Sequence, residues 1–244
     1  MTRVILHGAC GRMGHEVRAL IENNDALELV ASVDAMGGEG VYTDINDCNV
    51  EADVIIDFSS AAATDALLAY AVDKNIPVII ATTGHSAAQI EAIHAASEKV
   101  AVFHSANMSL GVYLLVALAK QTAAMMPDAD IEIIETHHNR KVDAPSGTAL
   151  MIANALKTVR EKAEFVFGRQ GASKRQAGEI GIHAVRRGNS VGTHEVIVST
   201  DNQSLTLKHE AHSRALFAEG AISAALFMDG KGAGLYDMNS VVGG

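Results

Sequence analysis

Val4-Ile5-Leu6-His7-Gly8-Ala9-Cys10-Gly11-Arg12-Met13-Gly14 is the segment from which the fold of this chain can be read. A β-branched apolar run ends in glycines spaced Gly-x-x-Gly-x-x-Gly, and Met13, Val17, Leu20 and Ile21 then recur at helical spacing. Glycines where a strand turns into a helix let the backbone approach a pyrophosphate, and the amides of the helix N-terminus stabilise its charge. Cys10 stands where the usual fingerprint has its second glycine, so the spacing alone is a weak signal. The context strengthens it. Leu27–Val33 resumes an extended pattern that ends at Asp34, about 20 residues beyond Gly14, where a carboxylate accepts a ribose hydroxyl.

Working outward, the same grammar repeats. Val54-Ile55-Ile56, Val78-Ile79-Ile80 and Val100-Ala101-Val102-Phe103 read as buried strands, separated by Ala-rich helical stretches at 61–74 and 86–98. At least five strands alternating with helices predict a Rossmann-like, doubly wound parallel sheet. From about Asn107 the pattern changes. A long apolar helix at 110–126 stops at Pro127, a strand follows at 131–135, and a second helix spans 146–159. Then come 165–167, 180–186, 194–199 and 205–210, strands joined by Gly-rich and polar turns with no helix between, as in a mixed, mainly antiparallel sheet. A last helix at 214–228 is expected to return to the first domain. The reading is therefore a dinucleotide-binding domain of 1–108 with 215–244, and an α+β substrate domain of 109–214. The terminal Val241-Val242-Gly243-Gly244 is expected to fray.

Composition agrees with two modest domains in 244 residues. With 48% hydrophobic and 20% charged residues, 21 Gly and 3 Pro, the chain belongs to neither the disordered nor the low-complexity class. Aromatics are 4% with no Trp, a poor basis for stacking single-stranded nucleic acid. Lys plus Arg 19 against Asp plus Glu 29 leaves a net charge of -10, which argues against a polyanionic partner and requires any anionic ligand to be caught locally. Cys10 and Cys48 are too few for a disulfide framework, which points to a reducing compartment. The start lacks the features of a signal peptide and no apolar run approaches the roughly 20 residues of a membrane helix, so a cytoplasmic location is expected.

Two further strand ends fall where ligands of open parallel sheets bind. These are Ala81-Thr82-Thr83-Gly84 and Ser105-Ala106-Asn107-Met108. Contact with a nicotinamide ribose or carboxamide is one reading; helix capping by Thr83 or Ser86, and by Asn107 or Ser109, is the other. Both stay open on spacing alone.

The segment richest in chemistry is Glu135-Thr136-His137-His138-Asn139-Arg140-Lys141-Val142-Asp143-Ala144-Pro145-Ser146-Gly147-Thr148-Ala149. Two histidines able to donate a proton, a lysine and a helix start whose Ser146, Gly147 and Thr148 amides suit a carboxylate or phosphate make a small-anion site with proton donors. Adjacent histidines on a strand end diverge and have no partner at zinc spacing, so no metal site is expected. An inert basic loop is the bland alternative.

This segment, with the glycine turn, Thr82-Thr83-Gly84, Ser105-Ala106-Asn107-Met108-Ser109, Gly181-x-His183-Ala184-x-Arg186-x-Gly188 and Gly192-x-His194-Glu195, resembles the 4-hydroxy-tetrahydrodipicolinate reductase (dihydrodipicolinate reductase) family of bacterial lysine and diaminopimelate synthesis. The resemblance runs through nearly the whole chain. It implies a nicotinamide-dependent reductase of a cyclic dicarboxylate imine, assembled as a homotetramer through the second domain's sheet. By that similarity His137 is the acid/base residue, Lys141 the proton donor, and His138, Gly147 and Thr148, beside Ser146, contact substrate. Gly8, Ala9, Cys10, Gly11, Arg12, Met13, Asp34, Ala81, Thr82, Thr83, Ser105, Ala106, Asn107 and Met108 bind the cofactor. The family often has Gly at Ala81 and Phe at Met108, and Asp34-Ala35 replaces the Glu-Arg pair of members that use both cofactors. With no arginine directly after the acid, NADH is expected over NADPH, which Arg12 could still help to hold. Alternatives are another split-Rossmann dehydrogenase, such as an amino-acid or inositol dehydrogenase, or a non-catalytic dinucleotide sensor.

Overall fold

The structure is a computed structural model, and residues 1–242 are described. The chain clusters into two compact units, Met1–Ser109 with Ala215–Gly244, and Leu110–Arg214.

In the first unit the order is β1 (Thr2–His7), α1 (Arg12–Glu22), β2 (Leu27–Val33), β3 (Val41–Tyr42), β4 (Val54–Asp57), α2 (Thr64–Lys74), β5 (Val78–Ile80), α3 (Ala87–Ser97) and β6 (Ala101–His104). The second unit supplies α4 (Leu110–Met125), β7 (Asp130–His137), α5 (Gly147–Lys157), β8 (Glu164–Phe167), β9 (Glu179–Arg186), β10 (Gly192–Thr200) and β11 (Gln203–Ala211). The chain then returns to the first with α6 (Ala215–Met228), β12 (Gly234–Tyr236) and α7 (Met238–Val242). Gly243 and Gly244, part of the tail expected to fray, lie outside the described residues, whereas Val241 and Val242 end α7.

The first sheet runs β12-β6-β5-β4-β1-β2-β3, every pairing parallel. Strand order reverses between β1, which leads to β2 on one side, and β4 on the other. Burial on both faces explains the continuous apolar runs: Val4, Ile5, Leu6, Val54, Ile55, Ile56, Val78, Ile79 and Ile80 are fully enclosed. Helix α1 buries Gly14, Val17 and Ile21, one stripe at helical spacing. Three elements escaped the sequence pattern. β3 is a two-residue edge strand, and β12 and α7 are three and five residues long, too short to show a period.

The second sheet runs β11-β10-β7-β9-β8. β11 to β10 and β10 to β7 are antiparallel, whereas β7 to β9 and β8 to β9 are parallel, so the sheet is mixed. The parallel β8–β9 step has no crossover helix. Instead, the connection between these strands carries Gly168, Gly171 and Gly178 at positive φ. Helices α4 and α5 cover one face, packing Leu115, Ala119, Ile152 and Leu156 on Ile131, Ile133, Ile180, Ile182, Val196 and Val198.

Candidate active site

In the first unit, the carboxyl end of β1 passes directly into the glycine turn. Gly8 adopts φ +83°, and a Cβ there would lie 2.6 Å from the Phe58 carbonyl carbon. A Cβ on Gly14 would overlap the Gly8 carbonyl oxygen and stand 2.6 Å from that of Ala9. Neither position can carry a side chain without moving backbone. Gly11 caps α1 in an extended conformation, with Arg12 exposed and Met13 half-buried at the first turn. Asp34 ties the neighbouring loop to this turn. Its Oδ2 accepts the Cys10 amide at 2.9 Å and its Oδ1 the Met36 amide at 2.9 Å. Each oxygen keeps a further lone pair. The substitution of cysteine for the second glycine is tolerated because Cys10 contributes backbone there, while its Sγ donates to the Gly37 carbonyl at 3.5 Å.

At the strand end before α3 the capping residue is seen directly. Ser86 caps α3 in a reciprocal capping box with Gln89, so Thr82 and Thr83 are not used as caps. Ala81 and Thr82 are buried, Thr83 is exposed, and the Thr82 hydroxyl is enclosed without a partner among the described residues. After β6, the Ser105 hydroxyl donates to the Asn107 carbonyl at 2.7 Å, and the Asn107 side chain accepts the Ser109 amide at 2.8 Å. Ala106 is exposed, while Met108 is buried and its carbonyl lies where a Cβ on Gly220 would stand.

His7 and Asp57 form a pair at the ends of β1 and β4. Asp57 is fully buried and accepts His7 Nδ1 at 2.9 Å and the Ser59 hydroxyl at 2.6 Å. It shapes the turn against which Gly8 packs.

In the second unit, period two explains the site. Residues 131, 133, 135 and 137 of β7 share the helix-covered face, and the sequence there changes from Ile131 and Ile133 to Glu135 and His137. The strand leaves the apolar core and becomes polar while still covered. The register brings partners to the same face: Arg186 of β9 lies beside His137, and His194 of β10 lies opposite Glu135. The strand runs two residues beyond the expected 131–135, so His137 sits on β7 and not in a loop.

Glu135, with no exposed surface, is the centre. It receives His137 Nδ1 at 2.6 Å, both Arg186 terminal nitrogens at 2.8 Å, and the Ser146 amide at 2.9 Å. Burial pushes its carboxyl up, but the hydrogen bonds from His137, Arg186 and Ser146 outweigh that and hold its pKa at about 2. Ser146 caps α5 by accepting the Ala149 amide at 3.2 Å, and its hydroxyl meets His194 Nε2 at 3.0 Å. His194 packs edge-to-face on His137, centroids 5.2 Å apart, and burial, with the nearby His137, lowers its pKa to about 4. Gly147 opens α5 with empty space where a side chain would stand. Lys141 Nζ pairs with Asp143 at 2.8 Å, a partly exposed contact that another carboxylate can replace. His138 is half-buried and its Nδ1 has no partner among the described residues; desolvation and then Arg140 and Arg214 lower its pKa.

The structure thus gathers His137, Ser146 and the start of α5 around Glu135, with Lys141 in the turn that follows His138. Sequence reasoning quoted Glu135, Arg186 and His194 without giving them this joint role. Arg186 is occupied by Glu135 and the Asp143 carbonyl. The detectable signal was Glu135 on the inward period of β7. Among the described residues there is no group of three or more His, Cys, Asp or Glu able to hold a metal, and no helix is long and apolar enough to cross a membrane.

Comparison with known proteins gives a consistent result. The family model "Dihydrodipicolinate reductase, N-terminus" matches residues 2–108, and "Dihydrodipicolinate reductase, C-terminus" matches residues 111–242. A 4-hydroxy-tetrahydrodipicolinate reductase of Clostridium novyi (strain NT) is 46% identical over 99% of this chain and 98% of its own length. One from Caldanaerobacter subterraneus subsp. tengcongensis is also 46% identical, over 99% and 98%. Among solved structures, the dipicolinate-bound dihydrodipicolinate reductase from Paenisporosarcina sp. TG-14 superposes with a TM-score of 0.83 at 25% identity, covering 98% of this chain and 99% of that one. A probable dehydrogenase from Thermotoga maritima, at TM-score 0.68 and 12% identity over 98% and 92%, shares the fold. With both of its halves matched and close relatives along its full length, the chain belongs to the dihydrodipicolinate reductase family.

Proposed function

We propose that this protein reduces 4-hydroxy-tetrahydrodipicolinate to tetrahydrodipicolinate with a reduced nicotinamide dinucleotide. The observation that carries the reading is the cluster at one end of the second sheet, where an imidazole, a lysine in an exchangeable ion pair and a helix start lie together. A cyclic dicarboxylate needs two anionic anchors and a proton source. The start of α5 at Ser146, Gly147 and Thr148 supplies one anchor, and Lys141 and His138 the other. His137 and Lys141 are the proton-handling groups. The dipicolinate bound in the Paenisporosarcina relative is a dicarboxylate of the same class.

The first unit fits a dinucleotide. Gly8 and Gly14 let the backbone close up through the strand-to-helix turn, the start of α1 offers its amides, and the enclosed Thr82 hydroxyl lacks a partner among the described residues at another strand end of the sheet. Gly8, Ala9, Cys10, Gly11, Arg12 and Met13 would hold the pyrophosphate. Asp34 would take the ribose, and Ala81 to Thr83 with Ser105 to Met108 the nicotinamide side. When bound, the reduced nicotinamide supplies the hydride. Asp34 favours NADH, because a carboxylate held by two amides repels a 2′-phosphate.

A homotetramer is part of the proposal; Leu110, Leu114 and Leu118 on α4 and Leu205 on β11 are exposed apolar residues that self-association would cover. Light scattering after size exclusion checks it. The unbridged Cys10 and Cys48 suit a reducing, cytoplasmic setting. The deciding experiment follows absorbance at 340 nm with each reduced cofactor and enzymatically generated substrate. Substrate-dependent oxidation, faster at low NADH than at low NADPH, is expected. Dinucleotide binding with no oxidation would replace the reductase by a sensor.

A further inference from the structure

The second unit carries a buried ionised group that the proton chemistry above does not use. Glu135 is enclosed, yet four donors converge on it from three places: His137 on its own strand, two nitrogens of Arg186 on β9, and the amide of Ser146 before α5. Arg186 alone satisfies the charge through two parallel hydrogen bonds. The bond to His137 is therefore additional, and its direction is dictated: an ionised carboxylate only accepts, so Nδ1 must hold a hydrogen.

We infer that Glu135 is the positioning residue of His137, fixing the ring as its Nδ1–H form and leaving Nε2 as the atom that takes up and releases the proton. This rests on the reductase reading for its consequence, though not for its geometry. Gly192 supports it from the other side of the ring, because a Cβ there would lie 3.0 Å from Nε2 and narrow the space beside that atom. His194, edge-to-face on the ring and neutral, adds no second positive charge. The groups around the imidazole are thus Glu135 from β7, Arg186 from β9, His194 from β10, Ser146 before α5, and His138 and Lys141 from the following turn. When both nitrogens are protonated, the Nε2–H bond breaks, its electron pair stays on Nε2 and the proton passes to the substrate anion. The ring is left neutral, with Nδ1–H still on Glu135. Arg186 and the Ser146 amide hold the carboxylate through that change, so the ring does not need to turn.

The test uses the full chain labelled with ¹⁵N-histidine. Long-range ¹H–¹⁵N spectra should show neutral His137 as the Nδ1–H tautomer, and Glu135→Gln should move it to a mixture. In the same variant kcat should fall about 10²- to 10⁴-fold while the KM for NADH stays within about twofold. A merely structural role would lower the unfolding midpoint without moving the tautomer of the folded protein. Neutral His137 found as Nε2–H in the unaltered protein overturns the inference, as does Glu135→Gln with undiminished kcat. Should that variant fail to fold, the tautomer of the unaltered protein decides. Were the unaltered protein unable to oxidise NADH with substrate, the reductase reading would fall while the tautomer measurement still judged the positioning role.

Discussion

In the first unit the proposed pyrophosphate contacts are made of backbone, from Gly8 to Met13 at a strand-to-helix turn steadied by the Asp34 carboxylate. In the second unit the site is organised by side chains, with the Glu135 carboxylate at the centre, His137 and Arg186 bonded to it by their side chains and Ser146 by its amide. A backbone site tolerates almost any side chain that points away, as Cys10 in the glycine turn illustrates, but tolerates none where atoms must pass. A side-chain site depends on the identity of each group and on the register that delivers it. The first type fails by steric overlap, the second by losing a charge or a proton.

That contrast can be broken from either side. The largest effect is expected at Lys141. Lys141→Ala should cut turnover about 10²- to 10⁴-fold with little change in NADH affinity by titration calorimetry, and near-full turnover would remove Lys141 from the chemistry. Gly14→Ala should cost about 3 kcal/mol and most of the dinucleotide affinity, because the new methyl meets the Gly8 and Ala9 carbonyl oxygens. Thermal unfolding with and without NADH measures both, and an unshifted midpoint would contradict the close approach.

Acid should weaken the side-chain site in two steps. The folded-state pKa of His194 is lowered to about 4 from 6.5, so the unfolded chain binds the proton more readily and stability falls as pH drops from about 6.5 to about 4. Glu135 is held at about 2 against 4.5, so its contribution is complete above about 4.5 and is lost as pH falls to about 2. Each step is on the order of 3 kcal/mol at most. Urea midpoints at pH 7, 5 and 3 should fall in turn, and His194→Gln should flatten the upper step alone. A midpoint independent of pH would refute the buried charges.

The smallest effects sharpen the comparison through two serine caps. Ser86→Ala should cost about 1 kcal/mol and leave both KM values unchanged, since Ser86 serves only its capping box with Gln89. Ser146→Ala should cost more and raise the substrate KM, because Ser146 also meets His194. Equal behaviour of the two variants would mean that the Ser146 cap is ordinary.

Much of this was legible beforehand, for identifiable reasons. Glycine spacing, the acid after β2 and uninterrupted β-branched runs are local statements about backbone freedom and burial on both faces, so the parallel sheet and its turn followed from them. The His137 to Thr148 segment is likewise contiguous, so its residue types showed their chemistry without a fold. The roles of Arg186 and His194 were not legible, because they lie 51 residues from Glu135 in one case and 48 from Ser146 in the other, and only register brings them there.

By itself, then, the sequence determined where backbone may bend, which faces are apolar and which proton-handling groups are neighbours along the chain, since those properties act over a few residues. The tertiary structure decided that Ser86 and not Thr83 caps α3, that two of the four pairings in the second sheet are parallel, and that Glu135 gathers its donors. Those outcomes depend on strand register and on competition for one buried carboxylate, interactions between residues that only folding makes adjacent.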